Sequence, residues 1–286
     1  ASGKIAGQLL PAFRERYELK LLDIKTTNRE GKEVADIEIV DLLEKNRDSY
    51  RQHFKGVDAV VHIGFIGNAN TSDQHNPETR FWNEYANIQM AYNIYQTSLE
   101  EGVRRVVVAS SNHAADYYEP LILDGKMDYV DPNERALSDN YYGWAKECYE
   151  HLGFVFATGK QARTSFGFGV GHDQNQQLEN IQIRIGGPRE TDISNCKLGD
   201  LRCMRRALAV YISERDMQQL FIKSIETENI RDEHGIPFQI FYGISGNSQA
   251  FWSIVNARKI IDYQPEDNSE IRFADVIAQH INAAVK

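Results

Sequence analysis

Tyr142 and Lys146 stand four residues apart in the run Tyr142-Gly143-Trp144-Ala145-Lys146. On a helix that spacing puts both side chains on one face. A free tyrosine has a pKa of about 10, too high for a base at neutral pH. An ammonium one turn away lowers it, and a phenolate can then take the proton of a hydroxyl as hydride leaves the same carbon. A second cluster, Ser110-Ser111-Asn112-His113, follows the apolar residues 106–109. There Ser111 can hydrogen-bond a reacting oxygen, and Asn112 and His113 can hold sugar hydroxyls. No G-x-S-x-G elbow surrounds Ser111, so a serine nucleophile is disfavoured.

A third cluster opens the chain: Ala1-Ser2-Gly3-Lys4-Ile5-Ala6-Gly7 reads as a glycine-bearing turn running into a helix that continues to about Arg16. The backbone N–H groups of Gly3, Lys4 and Ile5 can face a pyrophosphate, helped by the helix dipole. Asp23 follows Gly3 by twenty residues, at the end of the next strand pattern. A carboxylate there accepts hydrogen bonds from an adenosine ribose and repels a 2′-phosphate, so NAD is favoured over NADP. Lys25 and Arg29 lie nearby and weaken that preference.

The elements that must position these groups alternate. Residues 17–24, 34–40, 57–64, 105–110, 181–185 and 238–244 read as strands; residues 49–55, 83–101 and 141–156 read as helices. The run 57–64 is continuously apolar apart from Asp58 and His62, as in a strand covered on both faces. Strands alternating with helices predict an α/β fold, a Rossmann-type doubly wound parallel sheet. The alternation weakens beyond residue 187. This predicts an NAD-binding domain over 1–187 and a small C-terminal substrate lobe over 188–286, with 238–244 returning to the main sheet. In a sheet of this kind the glycine turn follows a central strand, and nothing precedes Ala1. The pattern therefore predicts one more strand upstream, roughly 5–15 residues of chain.

The chain has 286 residues, is 42% hydrophobic and 26% charged, and carries a formal charge of −9. These values exclude a disordered or collagenous chain. They also disfavour nucleic acid as a partner, since no long basic stripe is present. No apolar run is long enough to cross a bilayer, so no membrane partner is expected. The cysteines, Cys148, Cys196 and Cys203, form no C-x-x-C pair and leave one odd. Reduced thiols in a cytoplasm fit this best. His75, His172 and His234 lack metal-ligand spacing, so no metal is expected. Gly167-Phe168-Gly169-Val170-Gly171 lacks the strand-to-helix setting of a phosphate loop, and residues 157–177 read as an insertion.

Taken together and in this order, the three clusters resemble the extended short-chain dehydrogenase/reductase family, in its NAD-dependent epimerase/dehydratase group. Within it the chain is most similar to uronate dehydrogenases. Asn87 matches the family's helix asparagine, Asp41-Leu42 its adenine-contacting pair, and His62-Ile63-Gly64 the strand segment beneath the cofactor. The resemblance implies that Ile63 and Gly64 line the cofactor and that Tyr142 and Lys146 touch it as well as acting in catalysis with Ser111. It implies that Arg206, in Arg206-Ala207-Leu208-Ala209-Val210-Tyr211, holds a substrate carboxylate beside Ser111, Asn112 and His113. It further implies oxidation of a hexuronate at C1 to an aldarolactone, and a homodimer or larger assembly formed through the helices at 83–101 and 141–156.

The departures are specific. Gly67 and Gly187 stand where the uronate enzymes place serines, and Phe65 replaces a small residue beside the cofactor. Three alternatives stay open: an epimerase or dehydratase of nucleotide sugars, a sugar-phosphate dehydrogenase, and a non-catalytic dinucleotide sensor.

Overall fold

A computed structural model describes residues 1–67, 76–161, 176–190 and 193–285. Among the described residues six parallel strands form two sheets. β1 (Leu21–Asp23) pairs with β2 (Ile37–Ile39), and β3 (Ala59–His62), β4 (Arg105–Ser111), β5 (Glu179–Ile185) and β6 (Phe238–Gly243) follow one another in a second sheet. Among the described residues β1 pairs only with β2, and β3 only with β4. The gap between β1 and β3 is bridged by packing: Ala6 and Leu10 of α1 (Lys4–Arg16) meet Leu21 and Ile63 there.

β4 shows why the sheet is sandwiched. Val106, Val107 and Val108 are all fully buried, yet successive side chains of a strand point to opposite faces. Val107 joins a core with Leu9 and Phe13 of α1, Ile181 and Ile183 of β5, and Leu220 and Phe221 of α6 (Glu214–Glu226). Val106 and Val108 join the opposite core, built on α2 (Pro77–Glu100) and α4 (Tyr141–Thr158) through Ile94, Tyr95, Ala145, Tyr149 and Phe156. Helices on both faces of a parallel sheet make a doubly wound α/β fold, in agreement with the sequence reading.

The segment after β5 contributes to the first core as well, through Val210, Met217, Leu220, Tyr242 and Tyr263. A smaller cluster sits apart: Ile193, Cys196, Met204 and Leu208 pack with Phe273 and Ile277, joining α5 (Leu201–Val210) to α9 (Ala274–Ala284). The remaining helices are α3 (Tyr118–Leu123), α7 (Val255–Ile261) and α8 (Ser269–Arg272).

Several boundaries differ from the sequence reading: β2 and β3 are shorter than the expected 34–40 and 57–64, and β5 starts two residues earlier than 181. Residues 17–20 are not strand; Tyr17 closes α1 by donating its N–H to Phe13. α2 starts six residues earlier than expected, because Asn76 caps it by accepting from Glu78 and Thr79 and Pro77 occupies its first turn. The short helix at 49–55 is two 3₁₀ turns, Arg47–Ser49 and Arg51–Phe54, parted at Tyr50.

Candidate active site

Helix α4 begins against the end of β4, and one glycine permits it. A Cβ at Gly143 would lie 2.1 Å from the carbonyl oxygen of His113 and 2.0 Å from the Ser138 hydroxyl, so only glycine lets the helix rest on the turn Asn112–Ala115. Asn140 caps the helix by accepting from the Gly143 N–H at 3.0 Å and donates to Asp116 at 2.8 Å. Asp116 in turn accepts from the His113 ring at 2.8 Å. This brings Tyr142 edge-on to His113, with ring centroids 5.5 Å apart, and edge-on to Phe65 at 5.4 Å. One turn on, Lys146 is 4% exposed and its ammonium donates to the Ala109 carbonyl at 3.0 Å. It also lies 4.5 Å from the ring centre of Tyr149 and 5.4 Å from that of Phe65. Tyr142, Lys146, Ser111 and His113 thus share the carboxyl edge of the sheet, where ligands of open α/β folds bind.

The charges are unevenly balanced. Burial pushes the Tyr142 phenol above its ordinary range, and Glu84 and Asp116 push it the same way; a hydrogen bond from Ser111 and the charge of Arg189 oppose them. The sequence reading expects a lowered phenol. Burial overrides that expectation, because a phenolate loses its hydration there. Burial also brings Lys146 down to about 8, while Glu84 and Glu150 hold it up. His62 is pushed down to about 3 by burial and by Lys146. Glu84, 1% exposed, is pushed up to about 6 by burial, against the pull of Asn87, Lys146 and Arg80.

The expected dinucleotide groups fall along the same edge. Gly3 caps α1, no acidic residue stands in the first turn, and a Cβ on Gly3 would meet nothing within 4 Å. That open space over a helix N-terminus, lined by Lys4 and Ile5, fits a pyrophosphate. Asp23 ends β1, and its carboxylate accepts from the Ser2 N–H at 2.7 Å. A carboxylate has about four acceptor sites, so a ribose hydroxyl can share it. Asp41 is exposed after β2, and the Leu42 carbonyl accepts from Asn93 at 2.8 Å. Ile63 and Gly64 follow β3, with Gly64 against Met90. Asn87 brackets the next turn: its oxygen accepts from the Ile66 N–H at 2.7 Å and its amide donates to the Ile66 carbonyl at 3.2 Å. At the far end, the Asn112 amide nitrogen is buried with no hydrogen-bond partner among the described residues. These features fit NAD.

Arg206 lies on α5, where Glu119 of α3 accepts from its Nε at 2.9 Å. A carboxylate of this chain therefore holds part of the fork assigned to a substrate carboxylate. The sequence reading missed two groups. Arg189 follows β5 and acts on the Tyr142 phenol. Its neighbours are pinned: the Pro188 carbonyl accepts from Gln8 of α1 at 3.4 Å, and Glu190 accepts from Tyr211 and Arg272. Glu84 sits one helical turn before Asn87, a spacing that could have flagged it.

The expectation of reduced thiols is overturned for one pair. Cys196 and Cys203 form a disulfide, with Cα atoms 5.7 Å apart, and Cys148 is free. Seven residues apart, they come together where the turn before α5 folds back on it. Gly167–Gly171, His75, His172 and most of the 157–177 insertion lie outside the described residues. Among the described residues no cluster of metal-binding side chains occurs, and no helix is long and apolar enough to cross a membrane.

Comparison with known proteins agrees with this geometry. The chain is 26% identical to a uronate dehydrogenase of Pseudomonas syringae pv. tomato, over 98% of this chain and 84% of that protein. It is 25% identical to an NAD-dependent glucose-6-phosphate dehydrogenase of Haloferax volcanii, over 94% and 92% respectively. The crystal structure of a glucuronic acid dehydrogenase from Chromohalobacter salexigens shares the fold, with a TM-score of 0.69 at 22% identity, covering 96% of this chain and 85% of that one. Residues 1–152, more than half of the chain, match the family described as NAD(P)H-binding, and the chain belongs to that family.

Proposed function

We propose that this protein is an NAD-dependent dehydrogenase that oxidises a sugar acid, a hexuronate, at C1 to an aldarolactone. The observation that carries the reading is the convergence of Ser111, Tyr142 and Lys146 at the carboxyl edge of β4. Bound NAD would supply the hydride acceptor. Tyr142 takes the proton of the C1 hydroxyl, and Ser111, at the end of β4, shares the reacting oxygen. Lys146, fixed to Ala109, provides the positive charge that favours phenolate. Asn112 holds a sugar hydroxyl through its unpartnered amide, and His113, oriented by Asp116, holds another. Arg206 meets the substrate carboxylate with the guanidinium nitrogens that Glu119 leaves. The relatives named as uronate dehydrogenases support the substrate class.

A second reading, a sugar phosphate in place of a uronate, is favoured by the glycines at 67 and 187 and by the glucose-6-phosphate dehydrogenase among the relatives. Self-association through α2 and α4 is part of the proposal: Trp82, Tyr85 and Tyr141 stand exposed around a stacked Phe81–Trp144 pair. Rates of NADH formation with hexuronates, neutral hexoses and hexose phosphates test the function. Turnover of hexuronates alone supports the first reading, turnover of phosphates alone the second, and no turnover of any refutes both.

A further inference from the structure

We propose that Phe65 is a positioning residue that completes, with Tyr142 and Tyr149, an aromatic cage holding the Lys146 ammonium beside the phenol. This rests on the dehydrogenase reading above. Lys146 is 4% exposed, and an ammonium buried to that degree loses its hydration and needs compensation. Its hydrogen bond goes to a neutral acceptor, the Ala109 carbonyl, at 3.0 Å. Among the described residues no carboxylate forms an ion pair with it. Three rings face it instead, with centres 4.5 Å (Tyr149), 5.4 Å (Phe65) and 5.6 Å (Tyr142) from the nitrogen. A cation within about 6 Å of a ring centre is attracted by the negative face of the ring, most strongly where water is excluded.

Tyr142 and Tyr149 come from α4, the helix of the lysine itself; Phe65 comes from the segment after β3. Its place is fixed through its neighbour, because Asn87 of α2 accepts from the Ile66 N–H at 2.7 Å and donates to the Ile66 carbonyl at 3.2 Å. So anchored, the Phe65 ring also meets the Tyr142 ring edge-on at 5.4 Å. One side chain from outside the helix therefore bears on both members of the Tyr142/Lys146 pair. Phe65 is 43% exposed, whereas Tyr149 is 1% exposed and part of the core, so Phe65 is the member that can be exchanged without opening the interior. The other charged and titratable groups that act with Lys146 are Glu84 of α2, Glu150 of α4 and His62 of β3. Phe65 carries no charge, so replacing it leaves that set unchanged and removes only a ring face.

Phe65→Leu deletes the ring and keeps an apolar side chain over the ammonium; Phe65→Tyr keeps the ring. In the full chain carrying ¹³Cε-lysine, with the signal assigned through Lys146→Met, the Lys146 resonance should titrate near 8. In Phe65→Leu the charged form loses one ring face, and the midpoint should fall by about half a pH unit. In Phe65→Tyr it should return to the parent value. With a sugar that the parent oxidises, kcat should fall several-fold in Phe65→Leu and recover in Phe65→Tyr, with KM for the sugar little changed. A Lys146 midpoint that stays in place or rises in Phe65→Leu, or a fall that Phe65→Tyr fails to reverse, overturns the proposal. If the parent protein oxidises no sugar, the dehydrogenase reading falls, and the lysine titration alone still decides whether the cage holds the ammonium.

Discussion

The Lys146 ammonium and the Ala109 carbonyl oxygen are joined by a 3.0 Å hydrogen bond. That bond ties α4 to β4 two residues before Ser111. The helix supplying the phenol and the strand supplying the serine are therefore held in register by the lysine that also charges the site.

Lys146→Met should remove both the tie and the charge. We expect kcat to fall by roughly 10² or more, the usual scale for losing a group that supports proton transfer. Lys146→Arg should not restore it, because a planar fork does not replace a point charge in a buried slot. Initial-rate kinetics check both.

Gly143→Ala would normally stabilise a helix interior by about 1 kcal/mol. Here the new methyl group meets the His113 carbonyl at 2.1 Å and the Ser138 hydroxyl at 2.0 Å, so the sign reverses. A net loss of about 1–3 kcal/mol is expected from the overpacking, with a lower Tm. Activity should fall too, since the helix can relieve the clash only by moving Tyr142 away from His113.

Behind the site, Glu150 is paired with Arg184 through two hydrogen bonds, at 2.8 and 2.7 Å. Ser110 donates to the same carboxylate, and Tyr242 accepts from the guanidinium. The group links β4, α4, β5 and β6. Glu150→Gln leaves a buried guanidinium without its counter-charge, which costs about 3–5 kcal/mol. Replacing both partners with apolar residues should cost less than either single change. Urea denaturation measures the difference.

His62 gives the fold an acid-side weakness. Its imidazole, ordinarily near 6.5, is pushed down to about 3 by burial and Lys146. The unfolded chain therefore binds a proton below about 6.5 that the folded chain refuses until far lower pH, and stability drops as pH falls through that window. Between pH 6.5 and 4.5 the parent should lose about 2–3 kcal/mol more than His62→Gln. Equal losses in urea denaturation would contradict the assignment.

What was legible in the sequence follows from repetition. The apolar runs of β3 and β4 announce strands buried on both faces, and the Tyr142/Lys146 spacing announces a shared helical face. Single residues were harder. Glu84 looks like a surface glutamate in a polar stretch until α2 is seen to turn it inward. Arg189 belongs to no motif, and its charge acts on Tyr142 from the segment after β5. The start of α2 was hidden because Asn76 and Pro77 follow a polar run and its first turn, Pro77 to Arg80, carries no large apolar side chain. The Cys196–Cys203 pair escaped because its spacing matches no common pattern; tertiary folding before α5 brings the thiols together.

The central claim is that the Tyr142 phenol takes the substrate proton. Tyr142→Phe keeps the ring that packs on His113 and Phe65 and deletes only the hydroxyl. Single-turnover NADH formation, measured alongside NAD affinity by fluorescence titration, tests it most directly. The account predicts a rate reduced by roughly 10² or more with NAD affinity nearly unchanged. A variant that forms NADH at the parent rate would contradict it.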